Sequence, residues 1–594
     1  MKNFQALIIL LLFVPMSMAG KEFHVATTGD NSNPGSSSEP LLTISAAASL
    51  ARPGDDIIVH QGIYRECIRP PRGGESESKR IVYRAAENEK VIVKGSEQII
   101  GWVPDGPNIW KVELPYSFFG EYNPYYLKIS GAWLYYGQWY HRGAVYHNGE
   151  PYYEKQSLEE VEDPRATGTW FCRVEDDVTT LWAHFPQGVN PNTSKLAEIN
   201  VRETIFFPEI SGLKYITVDG FHFMHSAENW ASPRSEVQMG AVGTRMGKHW
   251  IIQNCTITDA RCSGISLGTA QGDFESIDDY GDHIIRNNVI RRCGQAGIVG
   301  MFGATRSRIV NNLIEDTNYR KEFGGFETAA IKFHHSVDTY IEGNLIRGVH
   351  RVSHGAWGIW IDFANQGTRI SGNIVYDVDL ECLFLEMNHG GMLVDNNVFI
   401  GSGIKSSSEG TVFAHNLIVD GISTYRDDSN RIANYYRPHT TDAVGKKAGS
   451  LQDNKWLNNI FIKRGLDQIT EAPGHQVDYN VFLEGAKKCA FGDRNSLVDS
   501  SFNTGFTLKD EPLGVSISFR MNQDPVDMEF PLVSGDLIGI FPVTGQTIED
   551  REGNPITVNT DINGKSFRKP VAGPLSDLKA GANTLQWSQE KQKD

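Results

Sequence analysis

The stretch Gly-Ile-Trp-Ile-Asp-Phe-Ala-Asn-Gln-Gly-Thr-Arg-Ile-Ser-Gly-Asn (358–373) is followed by a second stretch with the same plan, Leu-Phe-Leu-Glu-Met-Asn-His-Gly-Gly-Met-Leu-Val-Asp-Asn-Asn (383–397). Each begins with alternating side chains, continues through a polar turn and ends on an asparagine that precedes an apolar pair. Such alternation over a few residues is typical of a β-strand with one buried face. Two such units in succession predict stacked coils of a β-solenoid.

The asparagine that ends each unit recurs along the chain. It is found at Asn254, Asn288, Asn312, Asn344, Asn373, Asn397, Asn416, Asn459 and Asn480, at intervals of 19 to 43 residues. Irregular intervals of this size, with short apolar strands and 59 glycines for tight turns, favour an all-β fold, a right-handed parallel β-helix whose coils differ in loop length. We therefore expect these asparagines to stack at one turn of the solenoid.

Two acidic residues occupy the same place in neighbouring units, since Asp362 and Glu386 each lie eleven residues before the asparagine of their unit. The alternation directs both outward from adjacent strands, which are about 4.8 Å apart. Carboxyl groups about 5 Å apart are the geometry of a glycosidase that retains anomeric configuration. Like charges this close cannot both ionise freely, so one carboxyl is expected to keep its proton near neutral pH. Trp360 points the same way and is a candidate platform for a sugar ring.

The neighbouring units add basic residues to this face. The preceding unit, Ala-Ala-Ile-Lys-Phe-His (329–334), directs Lys332 and His334 outward, and Lys405 holds the place of Glu386 in the following unit. The expected row on an exposed face is therefore His334, Asp362, Glu386 and Lys405. A lysine beside Glu386 would favour the ionised glutamate, so Lys405 is expected either to swing away or to pair elsewhere.

Further polar and aromatic side chains are candidates for contacts with a sugar. The candidates are His335 and His389 from the turns of the solenoid, and Trp139 and His141 from the segment Tyr-Gly-Gln-Trp-Tyr-His-Arg (136–142). The last two residues belong to a region of different texture, and we expect them to close the site from outside the solenoid.

Composition divides the chain into five segments. A basic start, a short apolar run and small residues near Ala19 predict a secretory signal peptide at 1–19 and therefore export, to a periplasm or out of the cell. We expect an N-terminal cap and first coils at 20–100, an inserted antiparallel β-sandwich at 101–200, the main β-helix at 201–500 and a C-terminal tail packed on the helix at 501–594. Trp- and Tyr-rich alternation with the hairpin signal Asn148-Gly149 marks the insertion.

Charge and cysteine content exclude several functions. The net charge of −16 with no basic cluster argues against nucleic acid as a partner, and no later run approaches the roughly 20 apolar residues of a membrane helix. The seven cysteines lack metal-site spacing and are expected to be buried thiols, with a disulfide between Cys255 and Cys262 as the alternative. The acidic run at 273–282 lacks the spacing of a calcium loop and is interpreted as a solvated segment.

The two opening stretches and the segment 329–334 resemble glycoside hydrolase family 120, whose members are β-xylosidases built as a β-helix with an intermingled β-sandwich. The likeness extends to Val-Tyr-His-Asn-Gly-Glu (145–150) in the insertion. The resemblance implies that Asp362 is the nucleophile and Glu386 the general acid/base. It implies a retaining exo-glycosidase that releases terminal sugars, xylose above all, from oligosaccharides, with no metal or organic cofactor.

Two other classes remain open from the sequence. A polysaccharide lyase acting on uronate polymers would need a basic residue to abstract a proton, and Lys332, Arg351 or Lys405 are candidates. A non-catalytic, carbohydrate-binding or adhesin solenoid is the third possibility, because a fold does not imply a function. The oligomeric state is not indicated by the sequence.

Overall fold

The structure is a computed structural model, and it describes residues 20–135, 138–193, 196–268 and 279–590. The predicted signal peptide, residues 1–19, lies outside the described residues, as does most of the acidic segment 273–282. In the described part of the chain, no helix is long and apolar enough to cross a membrane.

Two long parallel sheets and a third, shorter one form a β-helix. The first sheet contains Glu22–Val25, Asp56–Val59, Ile81–Ala85, Ile216–Asp219, Ile251–Gln253, Ile284–Arg286, Arg308–Val310, Tyr340–Glu342, Arg369–Ser371, Met392–Asp395, Thr411–Ala414, Lys455–Leu457 and Gln476–Asp478. The second contains Gly62–Tyr64, Val91–Lys94, Phe221–Met224, Thr256–Thr258, Val289–Arg291, Leu313–Thr317, Leu345–Val349, Ile374–Val378, Val398–Ile400, Leu417–Val419, Ile460–Ile462, Val481–Leu483 and Leu497–Asp499. The predicted all-β parallel solenoid is confirmed.

The third sheet is shorter and contains the two opening stretches of the sequence analysis. Its strands are Val242–Gly243, Ser263–Ser266, Ala296–Met301, Ala329–His334, Trp357–Asp362, Leu383–Glu386, Ile404–Ser406 and Thr424–Tyr425. Ile359, Ile361, Leu383 and Leu385 point inward and are fully buried in the core that fills the solenoid. Burying such side chains stabilises the fold by about 1.5–3 kcal/mol each.

A ladder of asparagines fixes the turn between the first and second sheets. The side-chain oxygen of Asn373 accepts the backbone N–H of Asn344 at 3.0 Å, and its amide donates to the side chain of Asn397 at 2.9 Å and to the carbonyl of Ile341 at 2.8 Å. The same bonds repeat from Asn288 to Asn480. The ladder satisfies backbone groups that the turn would otherwise leave unpaired.

The expected start of the ladder at Asn254 is wrong by one residue. Asn254 lies in the left-handed region with φ of 55° and bonds to Asp219. Cys255 holds the ladder position, and its N–H donates to Asn288 at 2.9 Å. Each of the seven cysteines is a free thiol, and six of them are buried, so the alternative disulfide between Cys255 and Cys262 is not formed.

The N-terminal end of the solenoid is capped by a short helix, Ile44–Leu50, whose first turn is held by the Thr43 hydroxyl accepting the Ala46 N–H at 3.2 Å. A second short segment, Glu77–Lys79, forms one turn of 3-10 helix between early coils. The cap buries Ile44, Ala47 and Ala48 against the first coil, which closes the open end of the core.

The insertion consists of two antiparallel-rich sheets with their own apolar core. One sheet contains Ser96–Gln98, Val145–His147, Glu150–Pro151 and Ala197–Asn200, and the other contains Val103–Gly106, Ile109–Pro115, Tyr153–Glu154, Thr169–Glu175 and Val178–His184, with helical turns at Tyr116–Phe118 and Leu158–Glu162. The short strand Leu134–Tyr135, which lies between Ile109–Pro115 and Val145–His147 in the sequence, reaches the solenoid and pairs with Gly324–Gly325. This contact brings Trp133 over the third sheet.

Two later segments also lie outside the coils. A hairpin, Ile432–Tyr436 with Ala443–Ala448, interrupts the repeat between Asn416 and Asn459. The C-terminal segment forms the antiparallel strands Thr507–Glu511, Gly514–Met521 and Gly581–Ser588 and the short helices Asp524–Asp527 and Gly535–Ile538. Its apolar side chains pack on the outer faces of the first and second sheets.

Candidate active site

The third sheet aligns the two acidic residues side by side. Trp357–Asp362 pairs with Leu383–Glu386 in a register that makes Asp362 and Glu386 direct partners, and Asp362 is in turn the partner of His334 on the preceding strand. Direct partners on adjacent parallel strands have backbones about 4.8 Å apart. Both carboxyl groups point away from the solenoid core, as the alternation of the sequence predicts.

Asp362 faces two basic groups on the preceding strand. Its Oδ2 lies 3.1 Å from the Lys332 ammonium and 3.4 Å from Nε2 of His334. Both partners also contact Glu327, the lysine at 2.9 Å and the histidine at 3.5 Å. Burial raises the pKa of Asp362, but the positive charges of His334 and Lys332 outweigh it and hold the pKa below its ordinary value. Asp362 is therefore ionised near neutral pH.

Glu386 has the opposite electrostatic balance. Burial and the neighbouring negative charge of Asp362 raise the pKa of Glu386 to about 7, although Arg431 acts to lower it. The Arg431 guanidinium contacts Oε1, and the indole N–H of Trp360 donates to Oε2 at 3.2 Å. One member of the pair is thus ionised while the other keeps a proton that it is able to donate near pH 7.

The expected position of Lys405 is wrong. Lys405 is the partner of Phe384, one row away from Glu386, and its ammonium lies 3.8 Å from Glu381 and 5.3 Å from the centre of the Phe384 ring. The equal spacing to the asparagines was misleading because the two coils differ in length at this point. Between the same paired positions of the third and first sheets, one coil has the four residues 407–410 and the other has the six residues 386–391. The cationic partner of Glu386 is instead Arg431, with Arg426 at 3.6 Å.

The sequence analysis expects the acid pair on an exposed face, but the structure buries the pair in a cavity. Asp362 and Glu386 are only 6% and 4% exposed, at the bottom of a cavity of about 620 Å³. The cavity is lined by Trp133, Pro233, Arg234, Met301, Phe326, Glu327, His334, His335, Trp357, Trp360, Asp362, Phe363, Phe384, Glu386, Lys405, Arg426 and Arg431. The wall opposite the sheet comes from the insertion through Trp133 and from the segment that leads into the hairpin through Arg431.

Four of the predicted sugar contacts are at or beside this cavity. Trp360, His334 and His335 line it, and Lys332 lies directly behind the lining with its ammonium 3.1 Å from the centre of the Trp360 ring. His335 is held by Phe302, against which it stacks, and by the hydroxyl of Tyr436 at 2.7 Å from its Nδ1. Burial lowers the pKa of His335 to about 4, so its ring is neutral.

The structure does not bring the other three predicted contacts to the cavity. His141 is buried within the insertion, where its Nδ1 lies 2.6 Å from Glu154, and Trp139 lies against Lys128. His389 is buried in the turn after Leu383–Glu386, where its Nδ1 lies 2.8 Å from Glu409. The expected insertion aromatic is supplied by Trp133 instead, because Leu134–Tyr135 is the part of the insertion that pairs with the solenoid.

Several functional candidates were missed by the sequence analysis. Glu327 lies two residues before the strand Ala329–His334, and Arg426 and Arg431 lie in the longest interval between ladder asparagines. That 43-residue interval was the available signal, because a coil that long must leave the solenoid and is able to fold back over its face.

Glu327, His334 and Asp362 offer ligand atoms within 4.8 Å of one another, a spacing that a metal ion is able to use. The Lys332 ammonium, however, already contacts both carboxylates. A buried lysine between two acids supplies the positive charge that a metal would bring, so the donor set fits an ion-paired cluster better than a metal centre.

Comparison with known proteins identifies the class and then the family. A family model described as a right-handed β-helix region matches residues 209–346 and 237–419. A solved structure described as the complex of XylC with xylose matches with a TM-score of 0.87 and 32% identity, over 95% of this chain and 100% of that chain. With the enclosed acid pair, these matches define the protein as a glycoside hydrolase on a right-handed parallel β-helix. The family model for the insertion domain of glycoside hydrolase 120 matches residues 99–199, and the chain belongs to glycoside hydrolase family 120.

More distant solved structures were also found. One described as a glycoside hydrolase has a TM-score of 0.42 and 12% identity over 82% of this chain and 98% of that chain. A GH136 lacto-N-biosidase from Eubacterium ramulus has a TM-score of 0.37 and 13% identity over 81% of this chain and 68% of that chain. No curated protein matches the chain. Family membership confirms the resemblance and sets aside the lyase and the non-catalytic solenoid.

Proposed function

We propose that the protein is a retaining exo-β-xylosidase that acts by double displacement. The observation that carries the proposal is the register pairing of Asp362 with Glu386, together with the lowered pKa of the first and the raised pKa of the second. A separation of about one strand spacing leaves no room for a water molecule between the carboxyl groups, which is the condition for a covalent intermediate.

In the first step, an oxygen of Asp362 attacks the anomeric carbon and the bond from that carbon to the glycosidic oxygen breaks. The proton of Glu386 passes to the departing oxygen, and the sugar is left as an ester of Asp362. In the second step, Glu386 removes a proton from water, the water oxygen attacks the anomeric carbon, and the carboxylate of Asp362 is released. The two inversions together retain the configuration.

The surrounding residues support both steps. Lys332 and His334 keep Asp362 ionised and fix the position of its Oδ2. The indole N–H of Trp360 orients Glu386. Trp357, Trp360 and Phe384 line the cavity and supply apolar surface for the sugar rings of the substrate. Xylose is proposed because the similar structure of XylC is a complex with xylose, and exo action because the acid pair is buried in a cavity whose lining includes Trp133 of the insertion.

The test is ¹H NMR of the hydrolysis of an aryl β-xyloside within a panel of aryl glycosides. We expect β-xylose to appear first and to mutarotate later, and cleavage of the other glycosides to be slower. Initial release of the α-anomer would refute the retaining mechanism, and preference for another sugar would refute the xylosidase assignment alone.

Azide rescue separates the roles of the two acids. With Asp362→Ala, azide should attack the anomeric carbon directly and give the α-xylosyl azide. With Glu386→Ala, azide should open the Asp362 ester and give the β-xylosyl azide. Asp377→Asn, at an exposed aspartate on the second sheet, is the matched control and should keep full activity. Exchange of the two azide products would reverse the assignment of nucleophile and acid.

We further propose that the chain is exported after cleavage near Ala19, on the basis of its first residues alone. Expression of the full chain with fractionation and N-terminal sequencing tests this proposal. A cytoplasmic protein that still begins at Met1 would contradict it.

A further inference from the structure

The side of the cavity next to Glu386 is rich in positive charge, although the chain as a whole has a net charge of −16. Lys405, Arg426 and Arg431 line this side and come from the strands and turns that follow Glu386 along the solenoid. Lys332 and His334, by contrast, lie on the opposite side of Asp362, where Glu327 balances them. The cavity therefore has one balanced side and one cationic side.

Two acids, Asp428 and Glu386, contact the arginines of the cationic side. Arg426 and Arg431 share the same oxygen of Asp428, at 3.1 and 3.5 Å, and both also approach Oε1 of Glu386. Among the ion pairs of the described residues, Asp428 is the one other carboxylate in contact with the two guanidinium groups when Glu386 carries the proton that it is to donate. The negative charge of Asp362 also acts on Arg431, so Arg426 is the less fully neutralised of the two. In a partly enclosed space such a cation binds an anion more strongly than in open water.

Arg426 is placed to meet a ligand. Its side chain lines the cavity and is 42% exposed, whereas that of its partner Asp428 is 3% exposed. Lys405 adds a second cation whose partner Glu381 is 3.8 Å away, longer than a hydrogen bond. The faces of Trp357 and Phe384 beside Lys405 provide apolar surface for a second ring.

We propose that the leaving-group side of the cavity binds a carboxylate, so that the preferred substrates release a sugar that is a uronic acid or carries one as a branch. The inference rests on the proposed function, because the leaving group begins at the oxygen that Glu386 protonates and therefore lies beside Arg426. An arginine is suited to this task, since its planar fork matches both oxygens of a carboxylate.

The first experiment compares two aryl β-xylosides that differ only in a 3-carboxylate or a 3-carboxamide on the leaving phenol. The readout is the ratio of their kcat/KM values, in which effects common to both substrates cancel. We expect the wild-type ratio to fall about tenfold in Arg426→Gln, mainly through KM, and to be largely restored in Arg426→Lys. Lys405→Gln should lower it by a smaller factor, and added salt should lower it in the wild type.

Arg437→Gln is the matched control, because Arg437 is an exposed arginine at the end of the hairpin strand and does not line the cavity. Its ratio should equal that of the wild type. Cleavage of both xylosides with a ratio that is unchanged in Arg426→Gln and Lys405→Gln would overturn this inference alone. Cleavage of neither xyloside by the wild type would overturn the proposed function and this inference with it.

A second experiment distinguishes the two sources of the carboxylate. Two oligosaccharides are compared, one with a uronic acid directly after the terminal xylose and one with a second xylose that carries a uronic acid branch. Each is measured against its methyl ester. Faster cleavage of at least one free acid, lost in Arg426→Gln, supports the inference and names the source. Equal cleavage of acids and esters would refute it.

Discussion

At the scale of single residues, Arg431 should set the pH range in which Glu386, the proposed acid, carries its proton. Its positive charge lowers the pKa of Glu386, which burial and Asp362 hold at about 7. Removal of the charge in Arg431→Met should raise that pKa further. Because the proton is needed for the first step, the basic limb of the kcat/KM profile should move up by about one pH unit. Arg431→Lys should move it much less, and a basic limb at the wild-type pH in Arg431→Met would contradict the assignment.

Lys332 has the corresponding effect on Asp362, the proposed nucleophile. Its charge helps to hold the pKa of Asp362 below the ordinary value, so Lys332→Met should raise that pKa and shift the acidic limb of kcat/KM to higher pH. The change also leaves Glu327 without its closest cation, which should destabilise the protein by about 3 kcal/mol. Thermal unfolding and the pH profile check the two effects, with Lys446→Met, an exposed lysine of the hairpin, as the control.

Sequence reasoning located the acid pair because the evidence for it is local. Asp362 and Glu386 each end a short alternating strand, and the number of residues from the acid to the ladder asparagine is the same in both coils. Lys405 showed the same count but belongs to a coil with a shorter turn, so equal spacing gave the wrong partner. The 43-residue interval marked the segment that holds Arg431 but not the contact of Arg431 with Glu386, because that contact depends on the path of the excursion, which no local pattern specifies.

At the scale of structural elements, the asparagine ladder should be a major source of stability. Asn373→Ala removes an acceptor for Asn344 and donors to Asn397 and the carbonyl of Ile341, all of them buried. Leaving such groups unpaired should cost about 2–4 kcal/mol. The thermal midpoint checks this value, with Asn563→Ala at an exposed turn as the control. Equal midpoints for the two variants would show that the ladder is dispensable.

The coils themselves could be predicted because strand, turn and asparagine repeat together, whereas the irregular elements could not. The sequence placed the ladder at eight of the nine positions and erred at Asn254, where a cysteine stands in the ladder. The long interval marked an excursion from the coils, but the sequence did not indicate that Arg431, just before the hairpin, or Trp133 of the insertion would line the cavity. Both depend on tertiary docking between distant segments.

At the scale of the whole molecule, His439 joins three distant parts of the chain. Its Nδ1 lies 3.0 Å from Asp338 of the solenoid and its Nε2 lies 2.9 Å from Glu549 of the C-terminal segment. The bond to Asp338 and then the charges of both acids raise the pKa of His439 to about 9, against burial. Since the folded pKa is raised above the unfolded value, the stabilisation is complete below about pH 6.5 and is lost as the pH rises towards 9.

We therefore expect His439→Gln to lower the thermal midpoint at pH 6 by about 1–2 °C, as is usual for a partly exposed ion pair in a large protein. The difference from the wild type should shrink by pH 9.5, where the wild-type imidazole has lost its charge. Differential scanning calorimetry at both values tests the expectation. A midpoint difference that is the same at both pH values would show that the histidine acts by packing alone.

Because Asp362 and Glu386 are partners on adjacent strands, the spacing of the strands in the sheet sets the distance between the two acids. Neighbouring rungs are about 4.8 Å apart and next-but-one rungs about 9.6 Å apart. The first distance is close to the roughly 5–5.5 Å between the carboxyl groups of glycosidases that keep the anomeric configuration, and the second is close to the upper limit of roughly 9.5 Å in those that invert it. On such a scaffold the separation of two acids changes in steps of one coil, so the coils that carry the acids decide which of the two geometries the pair approaches.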